Sequence, residues 1–125
     1  MEENGKPITL PVIEIRSKNS FFDLASKYDP SLAEELCPAP IDDALAHKLQ
    51  AIALRTHQII GAKHLSRTDI IADEEGTPWV LEINTIPGQT KHSLLPKAIH
   101  ASGRKLGALY RDWIDSELQT ASLQP

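Results

Sequence analysis

The chain has 125 residues, enough for one domain that buries roughly two-thirds of the surface its unfolded form would expose. A formal net charge of −4 leaves no electrostatic footprint for a nucleic-acid backbone or an anionic membrane surface, so any bound anion would be held at a local site. The single cysteine excludes an internal disulfide and suits a reducing compartment.

In chain order, the opening Met-Glu-Glu-Asn-Gly-Lys has neither a basic n-region nor an apolar core, and no uncharged run approaches the ~18 residues that a membrane span requires. The expectation is a cytoplasmic protein with small partners, without nucleic acid or membrane. "ITLPVIEI", Ile8 to Ile15, is apolar and β-branched and reads as a strand with Pro11 at an edge or irregular start. From Arg16 to Pro40 no clean period is found, and an irregular stretch of that length is more often functional or mobile than filler. Cys37, inside it, reads as a small half-buried hydrophobe rather than a nucleophile. Ile41, Leu45, Leu49, Ile52, Ile59 and Ile60 then recur at helical spacings, with Pro40 and Asp42 at the start and Gly61 at the stop. "RTDIIADEEGTPWVLEINTIPG", Arg67 to Gly88, reads as two strands around a polar turn. A short helix ending at Gly103 follows, then a last helix over about Arg104 to Glu117, with the tail "QTASLQP" expected to fray. The class is α+β, a largely antiparallel sheet with packed helices.

The hairpin is the informative element, because each strand carries an acid where an apolar residue is expected. If Ala72 pairs with Trp79, Asp69 falls opposite Glu82 and Arg67 opposite Asn84, and alternation places all four on one face. Directly opposed Cβ atoms are about 4.5–5.5 Å apart, and two carboxylates at that distance repel unless a proton or a cation lies between them. Two carboxylates and an amide oxygen are too few for a calcium cage but suit magnesium, which takes further ligands from water and from substrate phosphates. Arg67 on the same face would stabilise negative charge beside the metal. The competing reading is a solvated outer face, and a one-residue slip would separate the acids. "DEEG" reads as an ordinary polar turn, since it lacks the spaced acids of a calcium loop.

With these residues in place, "SRTDI", "WVLEINTIPGQTKHSLLP", "FFDLASKY", "CPAP" and "PVIEI" together resemble the C-terminal part of D-alanine–D-alanine ligase, a member of the ATP-grasp superfamily, over about Leu10 to Leu118. The motifs stand in the family's order and near its spacings. The resemblance implies that Asp69, Glu82 and Asn84 are ligands of two Mg2+ ions, with Mn2+ as an alternative, that bridge the phosphates of ATP. It assigns Arg67 to steadying the phosphorylated and tetrahedral intermediates, and Gly88 to a turn whose backbone approaches the substrate. Ser93 and Leu94 match the pair that holds the carboxylate of the second D-alanine. Lys27 and Tyr28 match the mobile loop that closes over the site, the lysine near the γ-phosphate and the tyrosine toward the substrate.

The implied reaction is stepwise: ATP phosphorylates the carboxylate of one D-alanine, and the amine of a second attacks the acyl phosphate to give the dipeptide, as in peptidoglycan synthesis. Such chemistry depends mainly on positioning and on neutralising phosphoryl charge. Asp23-Leu24-Ala25-Ser26-Lys27-Tyr28 departs from the family's usual Asp-Tyr-Glu-Ala-Lys-Tyr, and Gln89 stands in place of the usual methionine. Tyr28 leans toward the dipeptide rather than a D-lactate product. The resemblance also places an N-terminal substrate domain and a central subdomain with a glycine-rich loop outside these residues. Residues 1–125 are therefore expected to form a partial ATP-grasp domain, one jaw of a nucleotide cleft, inactive by itself. Homodimer formation and association with the missing subdomains are both open. A non-catalytic interaction module, or another ATP-grasp carboxylate–amine ligase, remain the alternatives. His47, His57, His64, His92 and His100 have no zinc spacing and read as surface or core-edge residues.

Overall fold

The computed structural model describes residues 1–17, 33–73 and 75–122. The chain opens with a hairpin that has no counterpart among the expected elements: β1 (Glu2–Glu3) pairs antiparallel with β2 (Lys6–Pro7). Asn4 and Gly5 make its turn at φ of 52° and 71°, a conformation that Asn and Gly adopt at low cost. The strand expected over Ile8 to Ile15 is corrected, since only its last two residues enter β3 (Glu14–Ser17). Pro11 has no N–H to give a ladder. The backbone there takes single bonds instead, Val12 accepting at its carbonyl from the Ala39 N–H at 2.8 Å.

β4 (Ala33–Leu36) pairs antiparallel with β3, from Glu14↔Leu36 to Ser17↔Ala33, so the two ends of the supposedly irregular segment are strand. Ala-Glu-Glu-Leu has helix-forming composition, and pairing with a neighbour overrides it. Helix α1 (Asp43–Ile59) begins as expected, Asp42 Oδ1 accepting from the Leu45 N–H at 2.9 Å. It ends against Gly61 at φ 64°, the left-handed position that glycine fills without strain.

β5 (Arg67–Ala72) and β6 (Pro78–Asn84) form the third antiparallel pair. They are followed by α2 (Leu94–Ala101) and α3 (Leu106–Ser122). α3 continues through residues expected to fray, because no glycine or proline interrupts residues 108–124. Among the described residues the strands make three two-stranded antiparallel ribbons rather than one sheet.

Met1, Leu65, Leu95, Ile99, Leu109 and Trp113 form the buried cluster that joins the N-terminal hairpin to α2 and α3. Trp113 Nε1 donates to the Glu2 carbonyl at 2.9 Å, and Arg104 forks onto Glu3 at 2.7 and 2.9 Å. α1 packs on β5 and β6, and its Lys48 Nζ donates to the Gly76 carbonyl in their turn at 3.0 Å. His57, expected at a surface or core edge, is instead buried at 3% exposure with Nδ1 2.8 Å from Ser66 Oγ. No described helix is long and apolar enough to cross a membrane. The architecture is α+β.

Candidate functional site

The acids lie where β5 and β6 are in register: Arg67↔Asn84, Thr68↔Ile83 and Asp69↔Glu82. Side-chain alternation then puts Arg67, Asp69, Glu82 and Asn84 on one face. The expected route to this register is corrected. Ala72 pairs with Pro78, not Trp79, because the turn closes one residue early, with Asp73 N–H on the Thr77 carbonyl at 3.1 Å and Thr77 N–H on Asp73 Oδ1 at 2.6 Å. A β-bulge between the Asp69↔Glu82 and Ile70↔Val80 pairs leaves Leu81 without a partner and restores the count. The two one-residue differences cancel at the acids.

Asp69 and Glu82 do not face each other alone. The Arg67 guanidinium forks onto Asp69, Nε to Oδ1 at 2.7 Å and Nη2 to Oδ2 at 2.9 Å, and Nη2 lies 3.7 Å from Glu82 Oε1. Hydrogen bonding to Asp69, with the charges of Asp69 and Glu82 behind it and burial opposing, holds Arg67 still further toward its protonated form. The site opens outward: side-chain exposure rises from 25% at Arg67 through 34% at Asp69 to 62% at Glu82. Asn84 Oδ1 accepts from the Ile86 N–H at 2.9 Å, which fixes the amide and leaves the oxygen a second lone pair.

Asp69, Glu82 and Asn84 are hard oxygen donors, and a cationic group already sits where two opposed carboxylates need one. These residues fit a divalent metal whose coordination is completed from elsewhere. Among the described residues no group of three or more His, Cys, Asp or Glu gathers, so a third side-chain donor on this face would be the Asn84 amide.

The chain leaves β6 at Asn84 and reaches Gly88 within at most roughly 14 Å. A Cβ at Gly88 would lie 2.7 Å from Ser93 Oγ and 3.3 Å from Ser93 Cβ, so the turn has no room for a side chain there. Ser93 N-caps α2 from extended backbone, φ −80° and ψ 153°, yet its hydroxyl does not bond the helix. It accepts from the Thr90 N–H at 3.2 Å and lies 3.0 Å from Thr90 Oγ1. The N–H groups of the first turn of α2 therefore get no side-chain cap from Ser93 and carry the partial positive charge of the helix end. Leu94 opens α2 and is half-buried.

Two partners escaped the reading of the sequence. Thr90 was visible within Pro-Gly-x-Thr, but not as the group that holds Ser93. Lys97 Nζ lies 2.5 Å from Glu35 Oε2 and ties α2 to β4, and a separation of 62 residues carries no local signal. Gln89 Nε2 donates to the Pro87 carbonyl at 2.9 Å, leaving its Oε1 buried without a partner among the described residues. Lys27 and Tyr28 lie outside the described residues. A groove of about 680 Å3, lined by His64, Ile86, Gln89, Trp113 and Ile114 among others, flanks the turn but includes none of Arg67, Asp69 and Glu82. Among the described residues the acids lie on an open strand face.

Comparison with known proteins places the chain in a family. Residues 1–115 match the family "D-ala D-ala ligase C-terminus". The chain is 44% identical over 112 residues to a D-alanine–D-alanine ligase of Desulfotalea psychrophila, covering 88% of this chain and 35% of that protein. To the D-alanine–D-alanine ligase of Leptospira biflexa it is 46% identical over 97 residues, covering 78% of this chain and 28% of that one. The structure is similar to the ATP complex of the Bacillus anthracis D-alanine–D-alanine ligase, with a TM-score of 0.70 at 30% identity over 91% of this chain and 38% of that chain. The chain thus spans about a third of the length of the curated relatives it matches. With the acid-bearing hairpin, the Pro-Gly-x-Thr turn and the helix after it all inside the matched region, the chain belongs to the D-alanine–D-alanine ligase family and carries its C-terminal part.

Proposed function

We propose that these residues supply the metal and phosphate face, and the carboxylate site for the second substrate, of a ligase that joins two D-alanines with ATP for peptidoglycan synthesis in the cytoplasm. The observation that carries this reading is the opposed Asp69 and Glu82 with Arg67 between them, in a chain of this family.

Asp69, Glu82 and Asn84 would hold Mg2+, two ions in the full site, with Mn2+ as a substitute. When bound, the metal would neutralise the charge of the ATP phosphates. Arg67 presents a rigid fork of donors to phosphoryl oxygens and to the tetrahedral intermediate, and its charge is present at any working pH. Gly88 brings backbone close to the reacting carboxyl, a role its missing side chain permits. Ser93 and Leu94 orient the carboxylate of the second D-alanine at the open end of α2. Lys27 would meet the γ-phosphate and Tyr28 the substrate from the segment between β3 and β4. The nucleotide-covering subdomain and the substrate domain would come from the remainder of the ligase, so these residues alone are expected to be inactive.

The test is a chimera in which residues 1–125 replace the matching segment of the Desulfotalea psychrophila ligase. It should release phosphate from Mg-ATP in a D-alanine-dependent manner, and Glu82→Gln should abolish release while circular dichroism stays unchanged. A folded chimera without D-alanine-dependent release would refute the reading. A different observation favours an association role: Trp79, Leu81 and Ile86 are exposed at 61%, 61% and 85%, more apolar surface than a solvated hairpin needs. Such a face would dock on the other ligase subdomains.

A further inference from the structure

The two carboxylates assigned to the metal already face a cation in this structure, and that cation belongs to the same strand as Asp69. Both Asp69 oxygens accept from Arg67, at 2.7 and 2.9 Å, and the same guanidinium lies 3.7 Å from Glu82. Asn84 Oδ1 is turned to the Ile86 N–H. We propose that Arg67 is a built-in counter-ion that closes this site to a free divalent cation and opens it for a metal that arrives with a polyphosphate. The inference rests on the metal reading above and concerns how that site is loaded.

The argument is electrostatic. A lone divalent ion approaching Asp69 has to compete with two charge-assisted hydrogen bonds on the same oxygens and settle beside a guanidinium of like charge, both unfavourable. Arg67 is only 25% exposed, so water screens that repulsion less than it would at an open surface. With Arg67 in place, the two acids and the arginine sum to one negative charge. A divalent ion overshoots that charge, whereas without the arginine it would match it. A polyphosphate changes the balance by offering the guanidinium several anionic oxygens in the geometry its fork prefers. Arg67 can then leave Asp69 for the phosphate, while the metal takes the vacated carboxylate. One side chain would thereby couple metal entry to the presence of phosphate.

The experiment uses the 125-residue chain, with folding checked by circular dichroism and Mn2+ as probe. Free Mn2+ binding is followed by electron paramagnetic resonance, and binding of the preformed Mn2+–tripolyphosphate complex by water proton relaxation. Arg67→Met should bind free Mn2+ at least about tenfold more tightly than the unaltered chain, the size expected from removing one charged hydrogen bond. The preformed complex should show the opposite order, binding the unaltered chain better than Arg67→Met. Arg67→Met combined with Asp69→Asn should lose the gain.

Equal Mn2+ binding with and without Arg67 would overturn the inference and leave the metal reading standing. Absence of Mn2+ binding in every form, Arg67→Met included, would overturn both. A measurement on the unaltered chain covers the case in which Arg67→Met does not fold. The Arg67 Nε–H signal should move when Mg2+ and tripolyphosphate are added together and hold still with Mg2+ alone. A signal that responds equally to Mg2+ alone sinks the proposal.

Discussion

Gly88 and Ser93 show how one residue's missing side chain sets another residue's position. The Pro-Gly-x-Thr pattern was legible, but the reason for its glycine was not, since that reason is a Ser93 hydroxyl 2.7 Å from where a Cβ would stand. Gly88→Ala should force Ser93 to rotate off Thr90 and cost about 1–2 kcal/mol, from lost hydrogen bonds and crowding. Urea unfolding checks this. Ser93→Ala in the same chain should recover part of the loss, because the Oγ that clashes is gone, and a simple sum of the two penalties would refute the contact as the cause. Cys37 behaves as read from its sequence position: it is half-buried, and burial pushes its thiol pKa up, away from a nucleophile's range.

At the scale of elements, α2 carries the proposed carboxylate site, Ser93 and Leu94, at its start. Leu95, Ala98 and Ile99 anchor one face in the core, with Ile99 at 1% exposure, and the Lys97–Glu35 ion pair holds the helix to β4. Ile99→Ala should lower stability by about 2–5 kcal/mol, a large share of a small domain's total, and appear as a fall in the urea midpoint with little change in slope. The periods of α1 and α3 were readable because each presents an apolar stripe, and α2 was readable from the Gly103 that ends it. β1, β2 and β4 were not, because two- and four-residue strands carry no alternation long enough to detect. The bulge at Leu81 was equally invisible, although it decides how the rest of β6 meets β5.

For the whole molecule, the pH dependence of folding reports on His57. Burial, assisted by the Met1 α-ammonium and opposed by Glu2, lowers its pKa from the ordinary value of 6.5. The unfolded chain therefore takes up the proton first as pH falls, and below about 6.5 it binds more protons than the folded chain. This contribution is fully present above that pH and is lost as pH falls toward the folded-state value. Chemical denaturation from pH 7.5 to 5 should show stability dropping in that window, with a shallower drop for His57→Asn. Identical slopes would remove His57 as the cause.

The sequence by itself determined the α+β class, the family and the extent of α1, because helical and strand periods and ordered motifs are local properties of a chain, whereas Asp69 meets Glu82 as expected only because an early turn and a bulge cancel. Only the tertiary structure decided that Arg67 lies between the acids, that His57 is buried, and that Glu35 and Lys97 meet across 62 residues. Ion pairs and burial depend on which surfaces come together when the chain closes on itself. No period in the sequence encodes that.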